Sequence, residues 1–216
     1  VSFMSFLGLG PGDRVPDEKT LWRFEDELSR LGLAEALFER FNTYLSTHGY
    51  AAHKGSIVDA SIVQAPRQRN TREQNASIKQ GERPASLDEN PAVGRQKDTD
   101  ARWTQKHGKS YFGYKNHVNV DAGCKLIRKY QVTDASVHDS RVLPALLDSD
   151  NKNREVYADP AYRSGAIEQH LRERGYRSRI HYKATRGDSG GLSERQRAAN
   201  RRRSRVRARV EHVFGN

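Results

Sequence analysis

A chain of 216 residues with 38 Lys and Arg against 27 Asp and Glu, a net charge of +11 and 35% hydrophobic residues has room for one well-buried domain and a smaller accessory piece. Its cationic balance points to a polyanionic partner, nucleic acid first. The lone cysteine, Cys124, excludes an intrachain disulfide and a thiolate zinc cluster and fits a reducing cytoplasm. No apolar run approaches the roughly 20 residues of a membrane span, which argues against a membrane protein.

The chain opens on Val1-Ser-Phe-Met-Ser-Phe-Leu7, an apolar segment without the basic flank of a signal peptide, which reads as the tail of a helix cut off upstream. With the stop at Asn216 just after a basic helix, a fragment at both ends is expected. After the Gly/Pro-rich turn at 8–16, Asp17 predicts an N-cap with Thr20 three residues on, opening a helix whose Leu21, Phe24, Leu28 and Leu31 share a face. Gly32 ends it. A second amphipathic segment, Ala34 to Ser46 with Leu37, Phe38, Phe41 and Leu45, completes a helical pair near Gly49. Residues 1–50 are thus an accessory helical region whose apolar positions are expected to be core.

The run Ile57-Val-Asp-Ala-Ser-Ile-Val63, between Gly55 and Pro66, predicts a short strand that is apolar on both faces apart from Asp59 and Ser61. Either Asp59 faces water from an edge strand, or it is buried at a cost of several kcal/mol that a cation or strong donors must compensate. From Gln64 to Lys109 the chain is polar and charge-mixed, with prolines at 66, 84 and 91. That predicts a mobile insertion at 64–109 without regular elements. Trp103 either anchors it to the core or stacks on a base.

Alternation at period two over Tyr111–Asp121 and again over Lys125–Thr133, joined through Ala122-Gly123, predicts an antiparallel hairpin with Lys115 and His117 on one face. Val137-His-Asp-Ser-Arg141 reads as a helix start capped by Asp139, with Pro144 opening a fresh turn. His138 is either a hydrogen-bonded loop residue or a contact to phosphate or to the outer shell of a metal. Glu155 to Asp159 is a brief strand stopped by Pro160, and Asp159 falls at the C-terminal strand edge where open α/β sheets gather ligands. A helix follows over 164–174 with Ile167 and Leu171 inward, then a strand over 177–182 and a Gly-rich hinge at 185–191.

The last segment, 193–216, carries Arg195, Arg197, Arg201, Arg202, Arg203, Arg205, Arg207 and Arg209. On a regular helix Ala199, Val206, Val210 and Val213 share an apolar stripe, and Arg203, Arg207 and Glu211 follow one another at i+4 along its border. Glu211 by itself reads as the partner of Arg207 in a solvated ion pair. Taken with Asp59 and Asp159 it becomes the third carboxylate of a candidate metal site, since hard divalent cations take oxygen ligands.

These segments resemble bacterial insertion-sequence transposases with an Asp-Asp-Glu site, closest to the insertion-sequence-five group. The resemblance runs through Val15–Phe24, Ile57–Pro66, Gly113–Asp121, Ser136–Ser140, Tyr157–Tyr162 and Val206–Phe214. Of the group's Tyr-x-x-Arg-x-x-x-Glu-x6-Lys signature, Arg207 and Glu211 match the centre. Ser204 stands in place of the tyrosine, and the lysine falls beyond Asn216.

The resemblance implies an α/β catalytic domain over 51–216, a ribonuclease-H-like mixed sheet flanked by helices. Asp59, Asp159 and Glu211 would be its catalytic, metal-binding acids, holding Mg²⁺ or Mn²⁺, two ions in all. Of the DNA contacts the resemblance carries over Arg207; beside it Arg203 and Arg209 on the basic helix and Lys115 and His117 on the hairpin are expected to contact DNA, with His138 a candidate for the outer shell of the metal. It implies element ends and target DNA as double-stranded partners, a homo-oligomer in the synaptic complex, and a bacterial cytoplasmic, nucleoid-associated location. The alternatives are a DNA-binding remnant without catalysis and an RNA-binding protein with incidental acids; sparse aromatics in the basic stretch argue against the latter.

Overall fold

In the computed structural model, which describes residues 5, 7–50, 52, 54–184 and 191–215, the chain divides into two compact units, Val1–Ala51 and Ala52–Asn216. Over residues 7–50 the first unit is a helical pair, α1 (Glu18–Arg30) and α2 (Leu33–Thr47). Asp17 caps α1, its carboxylate accepting from the Thr20 backbone N–H at 2.7 Å. Gly32, at φ 65°, makes the turn into α2 in the left-handed region that glycine adopts freely.

The apolar faces expected to be core are not buried. Neither helix contains a buried residue, and Leu21, Phe24, Leu31, Leu37 and Phe41 are exposed. Two helices facing each other cover only the seam between them, where Leu28, Phe38 and Leu45 are half-buried.

The second unit is built on a six-stranded mixed sheet. Its strands are β1 (Ser56–Gln64), β2 (Arg102–Lys106), β3 (Lys109–Asp121), β4 (Ile127–Asp134), β5 (Glu155–Tyr157) and β6 (Arg177–Ser178). The spatial order is β2-β3-β1-β5-β6, with β4 paired to β3 as well. β3 meets β1, β2 and β4 antiparallel, whereas β1–β5 and β5–β6 are parallel. β1 is therefore a central strand, which removes the edge-strand alternative for Asp59.

Because side chains alternate along a strand, β1 feeds two cores. Val58 joins Leu143, Leu146, Val156, Tyr162, Leu171 and Ile180 on one face. Ile57 joins Val118, Val120 and Val210 on the other, with Val206, Val213 and Phe214 packed against them. The first face is covered by a short helix at Leu143–Leu146 and by the helix Gly165–Glu173, whose Ile167 and Leu171 are buried as expected. The second is covered by the C-terminal basic segment.

Three expectations change here. Residues 64–109 hold a capped helix, α3 (Arg72–Lys79), two four-residue helices at Ser86–Glu89 and Pro91–Gly94, and strand β2, with Ile78, Leu87 and Ala101 buried. Elements of four to eight residues are too short to show a period above polar noise. The strand over 177–182 is regular only at Arg177–Ser178, although backbone bonds from Arg179 to Val156 and from His181 to Ala158 continue the pairing. The 3-10 turn at Asp139–Arg141 is capped by the side chain of His138, not by Asp139. The Gly-rich hinge, apart from Gly191, and the opening segment, apart from Ser5 and Leu7, lie outside the described residues.

The hairpin turn is held by a residue whose role was not foreseen. Asp121, 1% exposed, accepts from the backbone N–H groups of Lys54, Gly123 and Cys124, from the Cys124 thiol, and from the Asn151 amide. Cys124 is thereby tied into the turn.

Candidate active site

The register of β1 with β5 pairs Ser56 with Val156 and Ile57 with Tyr157. Continued by two positions, it brings Asp59 beside Asp159 where the two strands diverge. Both carboxylates line two cavities at this C-terminal strand edge, of about 390 and 620 Å³. Asp159 turns its carboxylate back to accept from the Ala161 N–H at 2.8 Å, capping the 3-10 turn Pro160–Tyr162. The proline that stops the strand thus also sets the acid at its end.

Asp59 points to the face of Ile57, toward the C-terminal segment. That segment opens on a capping box between Ser193 and Gln196 and runs as a helix from Glu194 to Arg207. It then tightens into a 3-10 turn at Ala208–Val210 and ends in Glu211–Phe214. Val210 is buried under this turn while Val206, Val213 and Phe214 pack beside it, so the apolar stripe holds although the regular helix does not. The turn shifts the angular spacing of Arg207 and Glu211.

Arg207 pairs with Asp59, Nη2 to Oδ2 at 2.9 Å, with side-chain exposures of 27% and 15%. A guanidinium at that distance supplies the compensation a carboxylate in a central strand requires. Asp59 also accepts from the Ala60 N–H at 2.9 Å. Glu211 is exposed and lines the larger cavity together with Asp59, Asp159 and Arg207. The three predicted acids therefore open onto one groove. Among the described residues, however, no three His, Cys, Asp or Glu side chains are gathered closely enough to hold a metal ion. The donor set has the chemistry of a hard-cation site, and Arg207 already engages one of its members.

The residues expected to contact DNA take different places in the fold. Arg203 is buried, donates to the Ile180 carbonyl at 2.7 Å and lies 4.3 Å over the Tyr182 ring. It is a packing post, and a phosphate cannot reach it without displacing these partners. His117 is fully buried with Nε2 bonded to Thr133 at 2.9 Å, on the sheet face away from the basic segment. Burial lowers its pKa, the Asp139 charge opposing and Lys115 adding to that effect. His117 is thus a neutral core residue.

Lys115, on the same face, is held by Asp139 at 2.9 Å and by the Val137 carbonyl at 2.8 Å. It lines the smaller cavity with Asp59, Asp159, His138 and Asp139. Arg209 is exposed and donates to the Ala122 carbonyl. His138, also exposed, bonds the Ser140 hydroxyl at 2.7 Å. Ser204, at the position of the signature tyrosine, meets Nε2 of the buried His181 at 2.9 Å.

Two residues of this site were missed in the sequence. Asp139 is a fourth carboxylate in the cavity lining. Tyr162 is fully buried with no hydrogen-bond partner for its hydroxyl. Desolvation first, then the charges of Asp139, Asp59 and Asp159, push its pKa well above the ordinary tyrosine value. The only hint of its place was its spacing three residues after Asp159.

The profile of the family described as Transposase DDE domain matches residues 50–216. The chain belongs to that family. Its six-stranded mixed sheet between helices is accordingly a ribonuclease-H-like fold. A relative with which the transposase domain shares 34% identity over 199 residues is the transposase for insertion sequence element IS1106 from Neisseria meningitidis serogroup B. The alignment covers 89% of this chain and 64% of the relative, so the chain spans under two thirds of that protein. No solved structure matches it. Among the described residues, no helix is long and apolar enough to cross a membrane.

Proposed function

We propose that this transposase domain carries out metal-dependent phosphodiester cleavage and strand transfer at the ends of an insertion element. The observation that carries the reading is the parallel β1–β5 register, which sets Asp59 beside Asp159 at the mouth of a groove that Glu211 also lines. Asp59, Asp159 and Glu211 would hold Mg²⁺ or Mn²⁺. Two such ions would supply the charge that activates the attacking water and stabilises the leaving oxygen.

The chain's own groups do the rest. Arg207 neutralises Asp59 before loading, and its guanidinium is then free to hold a phosphate oxygen in its rigid donor fork. Exposed Arg209 extends that cationic edge, and Lys115 neutralises Asp139 within the cavity. His138 stands in the outer shell. The partners are double-stranded DNA, as element ends and as target, and further copies of the chain in a synaptic complex, acting at the bacterial nucleoid.

A second reading, DNA binding without catalysis, is favoured by the Arg207–Asp59 pair and by the open arrangement of the three acids. Calorimetric Mn²⁺ titration of the parent, Asp59→Asn, Asp159→Asn and Glu211→Gln separates the two. Binding that disappears in all three variants supports one assembled site. Loss in the aspartate variants alone leaves Glu211 outside it, and a parent that takes up no Mn²⁺ with or without element-end DNA rejects the catalytic reading.

A further inference from the structure

A third cavity, of about 590 Å³, lies beside the acids without containing them. Gln68, Asn70 and Asn75 give it three amide groups, and Ile78, Trp103 and Phe112 give it apolar and aromatic walls. Trp103 is 52% exposed, tilted against Phe112 at 5.3 Å between ring centroids, with the Arg67 guanidinium 5.8 Å over its ring. That separation is near the limit of a cation–π contact, so the cation is loosely held. The Gln68 side-chain oxygen is buried and has no hydrogen-bond partner among the described residues. A buried amide acceptor without a donor is unfavourable, and a ligand N–H would relieve that cost.

The charge around the cavity is equally specific. Arg69 and Lys79 contribute cations to the lining. The acid there, Asp98, is committed to the Tyr114 hydroxyl at 2.7 Å and to the N–H groups of Asp100 and Ala101. Asn70 is already engaged, donating to Asn75 at 3.4 Å and accepting from Lys97 at 2.8 Å. An aromatic face, the unpartnered Gln68 oxygen and a cationic rim together suit a flat group with hydrogen-bonding edges carried on an anionic chain. Ser136 lines both this cavity and the one that holds Asp59 and Asp159. Strand β2 also links them, with Trp103 in the first and Thr104, Gln105 and Lys106 in the second.

We propose that this cavity takes an unpaired nucleobase, stacked on Trp103 and donating to the Gln68 side-chain oxygen, from a DNA strand whose backbone passes the neighbouring acids. The proposal rests on the DNA-binding reading above but not on its metal chemistry. A paired base presents neither its face nor its Watson–Crick edge, so the site distinguishes single strands from duplex.

Trp22→Phe leaves Trp103 as the one tryptophan of the chain, and its emission reports the stack directly. A single-stranded 12-mer should quench it saturably, and the blunt duplex of the same sequence should not. By anisotropy of labelled DNA, Trp103→Ala should weaken single-strand binding roughly five- to a hundredfold, the range for loss of one base–aromatic stack. Duplex binding should stay within about twofold and Trp103→Phe should retain most of the single-strand affinity. Gln68→Ala, which leaves the walls intact, should also weaken single-strand binding.

Emission unchanged by single strands, equal quenching by duplex, or single-strand affinity untouched in Gln68→Ala would each overturn the proposal. So would a folded Trp103→Ala that loses both DNA forms alike. Asp59→Asn should keep the quench. Quenching without Mn²⁺ uptake therefore sinks only the catalytic reading, and Mn²⁺ uptake without quenching sinks only this one.

Discussion

Asp121 shows how one carboxylate ties together three parts of the chain, two through backbone N–H groups and one through the Asn151 side-chain amide. Burial acts to raise its pKa, but the N–H groups of Cys124, Gly123 and Lys54, with the Cys124 thiol, outweigh burial and hold it below the usual aspartate value. A depressed carboxyl adds stability that is complete above the unfolded pKa of about 3.9. That stability is lost as pH falls through the lower folded value. Asp121→Ala should cost about 2–4 kcal/mol at neutral pH, because several buried donors lose their acceptor at once, and urea titration at pH 7 and below pH 4 should show the deficit shrinking in acid.

His117 has the same sign in a different window. Its pKa is depressed, so the unfolded chain takes up the proton first, near pH 6.5. Its contribution is complete above that pH and falls as pH drops through the folded value. His117→Gln should therefore lose stability less steeply than the parent between pH 7 and 5, whatever its absolute stability. Urea midpoints across that range would read the difference.

At the scale of elements, β3 depends on Gly113, where it passes from β2 to β4 as partner. Its φ is 149°, a region that side chains rarely adopt, and an added Cβ would come within 2.1 Å of the Val63 carbonyl oxygen on β1. Gly113→Ala should destabilise the second unit by about 2–4 kcal/mol, and the loss should show as a lower midpoint in thermal unfolding by circular dichroism.

The basic helix Glu194–Arg207 divides its arginines by face. Arg203 is packed, whereas Arg201 and Arg205 are exposed. Arg203→Ala should lower stability by about 1–3 kcal/mol, through a lost hydrogen bond and ring contact, with little change in the salt dependence of DNA binding. Arg201→Ala and Arg205→Ala should leave stability within about 0.5 kcal/mol and each reduce the salt slope by about one. Filter binding across a salt series, beside thermal melts, would separate the two classes.

For the whole molecule, a net charge of +11 with exposed arginines on the closing helix predicts binding dominated by counterion release. If about six phosphates are neutralised, log affinity should fall against log salt with a slope near −5. A slope close to zero in that salt series would remove the basic segment as the DNA contact.

Much of this architecture could be read from residues alone. Strand and helix periods located β1, the β3–β4 hairpin, the helix Gly165–Glu173 and the basic helix, because each depends on near neighbours: alternation, an apolar face, a proline stop. Local pattern placed each of the three acids on its element, and the resemblance singled them out together. Their mutual placement could not. Asp59 and Asp159 are 100 positions apart, and only the parallel register of β1 with β5 brings them together. Arg207 had an obvious local partner in Glu211, yet its guanidinium reaches Asp59, 148 positions away. Packing Val210 onto the sheet tightens the helix into a 3-10 turn at that point, and a partly buried carboxylate needs the cation more than a solvated one does. Local spacing thus determined which elements form and where each acid falls along them, and tertiary packing decided which side chains face the groove, which became core, and which charge each acid meets.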